Sequence, residues 1–151
     1  MTSSIRKPSI IMAEDDEDDR LMIKEALDEA GVDSLVECAE NGEELLDLLL
    51  ARRSAAEASG REPPAFILLD LNMPKLDGRK TLHLIRADEK LKKIPIIVFT
   101  TSNTEEDIAL AYEAGANSFI LKPSSFATMV DIMKTLKTYW LETVSLPCVT
   151  A

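Results

Sequence analysis

Histidine occurs once in this chain of 151 residues, at His83, and cysteine only twice, at Cys38 and Cys148. One imidazole is too few for a histidine-rich metal centre and argues against a Ser-His-Asp hydrolase. The two cysteines have no metal-ligand spacing, and two free thiols fit a reducing compartment. Basic residues are outnumbered as well: 17 Lys and Arg stand against 27 Asp and Glu, a net charge of −10. A chain this acidic has no electrostatic footprint for nucleic acid or for an anionic membrane. No apolar run approaches the roughly 18 residues of a spanning helix. The N-terminal region lacks a basic segment followed by an apolar one, so no secretory signal is read there. The expected location is the cytoplasm.

What the sequence does contain is enough apolar material, 46%, for one domain with an ordinary core. The expected organisation is an N-terminal arm over 1–8, one folded unit over 9–144 and a C-terminal tail over 145–151. Five short apolar runs alternate with longer helical patterns. The strand-like runs are 10–13, 35–39, 66–69, 96–99 and 118–121. The first helix carries Leu21, Met22, Ile23, Ala26, Leu27 and Ala30, and Gly31 stops it. The second carries Leu45, Leu46, Leu48, Leu49 and Leu50. The stretch from Ser54 to Pro64, rich in Ala, Ser, Gly, Pro and charge, reads as a fraying helix end and an exposed loop. Further helices are expected over 78–86, 105–114 and from Phe126 to about Val144. Strict alternation of strand and helix specifies a parallel sheet with helices on both faces, and right-handed crossovers leave few topologies.

Asp15, Asp70, Thr100 and Lys122 each follow an apolar strand run. In an open parallel sheet ligands bind beyond the carboxyl ends of the strands, so four different strands deliver reactive side chains to one rim. Clustered carboxylates repel one another unless a cation is present. An all-oxygen set at an exposed rim suits Mg²⁺, which keeps several waters. Lys122 offers a compact positive charge and Thr100 a hydroxyl, which together can hold the oxygens of a phosphoryl group. Asp70 can then act as a nucleophile toward phosphorus.

The segments Met12-Ala13-Glu14-Asp15-Asp16, Leu68-Leu69-Asp70-Leu71-Asn72-Met73-Pro74 with Asp77-Gly78, Phe99-Thr100-Thr101-Ser102 and Lys122-Pro123 resemble the receiver domains of two-component response regulators. The resemblance implies a flavodoxin-like (βα)5 fold, a doubly wound parallel five-stranded sheet of order 2-1-3-4-5. It makes Asp70 the phospho-acceptor and Glu14 and Asp15 the acidic pair, with Asp15 a direct Mg²⁺ ligand and Glu14 acting through water. Asn72 would lend its backbone carbonyl to the metal. Thr100 and Lys122 match the switch hydroxyl and the lysine; Thr101 and Phe119 stand at switch positions. Pro123 would follow a cis peptide bond. More narrowly, the runs from Glu14 to Leu21 and from Thr100 to Ile108, and the tail from Tyr139 to Pro147, are similar to small response regulators paired with bacterial phytochrome kinases.

The implied function is that of a stand-alone receiver, taking a phosphoryl group from a sensor histidine kinase or phosphotransfer protein onto Asp70 and changing its surface for a partner. It is not an enzyme beyond its own phosphorylation and dephosphorylation. The alternative is a pseudo-receiver acting as a phosphorylation-independent interaction module. A haloacid-dehalogenase-type phosphatase needs a second acid two residues after the nucleophile, where this chain has Asn72. A homodimer is expected through the fourth helix, fifth strand and fifth helix, with Tyr139 and Trp140 on a partner surface. Glu17 and Asp19 read as solvated acids at a helix N-terminus, and His83 as a structural or surface residue.

Overall fold

The computed structural model describes residues 9–59 and 63–147. The expected arm over 1–8 and, in the tail, Cys148 lie outside the described residues. Five strands, β1 (Ser9–Ala13), β2 (Leu35–Ala39), β3 (Phe66–Leu69), β4 (Ile96–Thr100) and β5 (Ser118–Leu121), form one sheet of order β2-β1-β3-β4-β5. Every pairing is parallel. The helices are α1 (Glu17–Glu29), α2 (Gly42–Ser59), α3 (Gly78–Ala87), α4 (Glu105–Glu113) and α5 (Phe126–Leu136). The strand order and the alternation are those the resemblance implied.

β1, β3 and β4 are the three inner strands and are buried along their whole length, which is why they read as unbroken apolar runs. The two-residue period of a strand then sorts their side chains. Ile11, Ile67, Leu69 and Val98 face one way, onto Leu45 and Leu49 of α2, Leu82 and Ile85 of α3 and Ala111 of α4. Ile10, Met12, Leu68 and Phe99 face the other, onto Ile23 and Leu27 of α1 and Met129 and Met133 of α5. With both faces covered, the polar residues that follow each strand are left at one end of the sheet.

α2 ends at Ser59, inside the stretch read as a fraying helix end and loop. Two sequence expectations are corrected. The last helix does not continue unchanged to Val144. It passes at Lys137–Thr143 into a π-helical segment, where the Val144 N–H donates to the carbonyl of Tyr139 at 3.0 Å. The wider turn re-phases the side chains. It turns Trp140 onto Phe66, with ring centroids 6.5 Å apart, and leaves Tyr139 exposed. Trp140 is thus half-buried against the core, with its ring edge-on to that of Tyr139 at 5.2 Å. The bond before Pro123 is also not cis, since no cis peptide occurs among the described residues; the trans form of an X–Pro bond is intrinsically preferred by about 0.5–1 kcal/mol. Among the described residues no helix is long and apolar enough to cross a membrane.

Candidate functional site

The site is built where β1, β3, β4 and β5 end. Asp70 follows β3 directly and is 6% exposed. Its backbone is fixed by an N–H bond to the carbonyl of Ala13, 3.1 Å long, in β1. The N-terminus of α3 presses against it from the other side. A Cβ added to Gly78 would lie 2.2 Å from the Asp70 carbonyl oxygen and 2.7 Å from Leu71 Cα, so only glycine lets the helix start this close. Asp77 caps that helix by accepting from the Lys80 N–H.

Three groups converge on the Asp70 carboxylate. The hydroxyl of Thr100, fully buried at the end of β4, donates to Oδ1 at 2.7 Å. The Asn72 N–H donates to the same oxygen at 3.1 Å. Lys122 Nζ donates to Oδ2 at 3.1 Å. Lys122 itself is a nearly buried ammonium with two further carboxylate partners, Glu14 through a close contact and Asp19 at 3.1 Å. Glu14, 2% exposed, accepts from the Asp16 N–H with its other oxygen at 3.1 Å. Arg20 clamps this loop, its guanidinium donating to the carbonyls of Glu14 at 2.8 Å and Asp15 at 3.0 Å.

These surroundings move two protonation equilibria. Burial pushes the Glu14 carboxyl up to about 7, helped by the negative charge of Asp70 and opposed by the hydrogen bond from Lys122. For Lys122, burial disfavours the ammonium, but the hydrogen bond to Glu14 and the charge of Asp70 override it and hold the amine above its ordinary range. Glu14, Asp19 and Asp70 thus share Lys122 as a common partner, Asp15 adds a further carboxylate, and negative charge is left over. Glu14, Asp15 and Asp70 each bring a carboxylate oxygen to within 4.8 Å of the others. Asp15 is exposed and opens this group to solvent. Hard oxygen donors, excess negative charge and an open side fit a cation of the Mg²⁺ type.

Of the residues singled out in the sequence, Glu14, Asp15, Asp70, Thr100 and Lys122 come together. Asn72 joins them through its N–H, while its side-chain amide donates to Ser102 Oγ at 2.8 Å. Thr101 stands exposed, outside the set of groups that bond Asp70. Phe119 is half-buried against the core on the α2–α3–α4 side, and its N–H donates to the Tyr112 hydroxyl at 3.2 Å. His83 is on the surface. Asp19 is the residue sequence reasoning missed: not merely a solvated acid, it binds Lys122. As an acid in the first turn of α1 it carries no local signal of that contact.

Against known proteins, the model of the response regulator receiver domain matches residues 10–134. The chain is 35% identical over 132 residues to the probable methanogenesis regulatory protein FilR2 of Methanothrix harundinacea, covering 87% of this chain and 83% of FilR2. It is 33% identical over 138 residues to response regulator Rcp1 of Synechocystis sp., covering 91% and 92%. Its fold is similar to response regulator RPA3017 in red light signaling of R. palustris, with a TM-score of 0.83 and 36% identity over 93% of this chain and 98% of that one. The phosphorylated cyanobacterial phytochrome response regulator RcpA gives 0.81 at 36% identity over the same shares. Rcp1 has been solved in a Mn²⁺-bound form, with a TM-score of 0.73 to this chain at 32% identity over 93% and 99%.

Proposed function

The chain belongs to the response regulator receiver domain family, and from that premise we propose that it accepts a phosphoryl group on Asp70 from a phosphohistidine of a sensor histidine kinase or phosphotransfer protein. The receiver unit would be 9–144, working in the cytoplasm. In the transfer an Asp70 carboxylate oxygen forms a bond to phosphorus. The bond from phosphorus to the imidazole nitrogen breaks, and that nitrogen keeps the electron pair. Thr100 and Lys122 already donate to the two oxygens of Asp70, at 2.7 Å and 3.1 Å, and their donors stand ready for the phosphoryl oxygens that replace those contacts. This convergence of a hydroxyl and an ammonium on one carboxylate is the observation that carries the reading.

Asp15, Asp70, the backbone carbonyl of Asn72 and, through water, Glu14 would hold Mg²⁺. When bound, the ion neutralises charge on the transferring group. Thr101 and Phe119 are assigned to the switch that follows phosphorylation, in which Thr100 turns toward the phosphoryl group. The switched surface is α4, β5 and α5, where Leu110, Tyr112 and Leu121 are exposed, and it would bind a second copy of the chain. Similarity to RPA3017 and RcpA supports a phytochrome as the cognate kinase.

The test is to incubate the chain with acetyl phosphate and Mg²⁺ and weigh it intact. Wild type gains one phosphoryl group and Asp70→Asn gains none. Equal labelling of both would remove Asp70 from the role. No labelling of wild type, by acetyl phosphate or by phosphorylated sensor kinases, would replace the reading with a phosphorylation-independent interaction module.

A further inference from the structure

Lys122 has three ammonium protons to give, and three carboxylates take them: Glu14, Asp70 and Asp19. Two of these belong to the oxygen cluster that can hold a cation, which consists of Glu14, Asp15 and Asp70. A cation bound there, or a phosphoryl group on Asp70, removes the free negative charge that Lys122 now uses. Asp19 is outside that cluster. It is the one partner of the three whose charge stays available in every state of the cycle.

The backbone fixes Asp19 in this role. Its N–H is held by the Asp16 side chain at 2.9 Å, as the cap of α1. Its carboxylate then reaches from the first turn of α1 across to Lys122 at the end of β5, 103 residues away in sequence, at 3.1 Å. Asp19 is 40% exposed on its side chain, whereas those of Glu14 and Asp70 are 3% and 7% exposed. The pull on the ammonium is therefore toward the mouth of the pocket and away from the two inner carboxylates.

We propose that Asp19 is a positioning residue for Lys122, drawing its ammonium outward so that Glu14 and Asp70 remain open to a divalent cation and to the phosphoryl donor. This rests on Asp70 being the acceptor. Without Asp19, Lys122 gives all its protons to Glu14 and Asp70 and competes harder as their resident cation. The expected results are weaker Mg²⁺ binding and slower phosphorylation. For a partly exposed ion pair the change is roughly two- to fivefold in each.

The experiment compares Asp19→Ala with Asp18→Ala, which removes the same charge one residue away on the exposed surface of α1. Mg²⁺ affinity is read by calorimetry, and the limiting rate with acetyl phosphate by intact mass. The same pair of variants is then made on a Lys122→Ala background. Asp19→Ala should lower Mg²⁺ affinity more than Asp18→Ala does, and the excess should vanish once Lys122 is gone. Two equal effects, an excess that persists without Lys122, or tighter Mg²⁺ binding in Asp19→Ala would each overturn the proposal. Asp70→Asn, run alongside, separates the two readings. If it still takes up phosphate, the acceptor assignment fails; if it does not while Asp19→Ala matches Asp18→Ala, only the role of Asp19 fails.

Discussion

Replacing Lys122 with methionine keeps the length of the side chain and removes its charge. Glu14 and Asp70, whose side chains are 3% and 7% exposed, are then left beside each other without their common cation. Removing one member of a buried ion pair costs about 3–5 kcal/mol. Asp70 retains its bonds from Thr100 and Asn72, and Glu14 keeps that from Asp16, so the lower end of that range is expected. The loss should depend on pH. The folded-state pKa of Glu14 is raised from 4.5 to about 7 by burial, with Asp70 adding and Lys122 opposing. A carboxyl raised on folding contributes stability that is fully present below 4.5 and lost as pH rises through about 7. Without the opposing bond from Lys122 the shift grows, so acidification from about pH 8 to about pH 6 should restore part of the lost stability. Mg²⁺ should restore it too, by about 2.7 kcal/mol at a hundredfold excess over the variant's dissociation constant, and at equal Mg²⁺ concentration the gain should exceed that in wild type because no ammonium competes. Urea unfolding followed by the fluorescence of Trp140, the single tryptophan, measures all three. A loss below about 1 kcal/mol, or one indifferent to both pH and Mg²⁺, would refute the claim that Lys122 serves as the pocket's resident cation.

Gly78→Ala should destabilise the fold by about 1–3 kcal/mol and weaken Mg²⁺ binding, because the new methyl meets the Asp70 carbonyl at 2.2 Å; urea melts and calorimetry check it. Mg²⁺ affinity in wild type should fall on acidification below about 7 as Glu14 takes up a proton, and calorimetry across that range would show a flat profile if Glu14 did not titrate there. Decay of phospho-Asp70 after donor removal should take many minutes or longer, since the Asn72 amide is engaged by Ser102 at 2.8 Å and serine is too short to place a water across the pocket. Losing one water-positioning hydrogen bond costs about 1–3 kcal/mol, so Ser102→Glu should decay roughly ten- to a hundredfold faster, and decay of wild type within seconds would contradict the reasoning.

The inner strands were legible because burial on both faces leaves no alternation to interpret: 66–69 stands in the structure at the bounds the sequence suggested, and 10–13 and 96–99 each extend by one residue, to Ser9 and Thr100. The residues after those runs were legible as a site because a parallel sheet sends every strand end to one rim. Asp19 was hidden by a competing explanation, since an acid in the first turn of a helix already satisfies the helix dipole. The partnership with Lys122 depends on how α1 packs against the end of β5, which no local pattern reports. The π-helical segment was hidden for a similar reason. Phe126 to Val144 carries one continuous helical pattern, and only the contact of Trp140 with Phe66 reveals the change of phase.

The account stands on a covalent bond between phosphorus and the Asp70 carboxylate, and reduction of that bond with borohydride reads it directly. An acyl phosphate on aspartate is converted to homoserine, while a phosphoester or a free carboxylate is not. After incubation with acetyl phosphate and Mg²⁺, peptide mapping should find homoserine at position 70 and at no other aspartate, and none when Mg²⁺ is chelated. Homoserine at Asp15 or Asp19 in place of Asp70, or phosphate retained on a hydroxyl such as Thr100, would contradict the central claim.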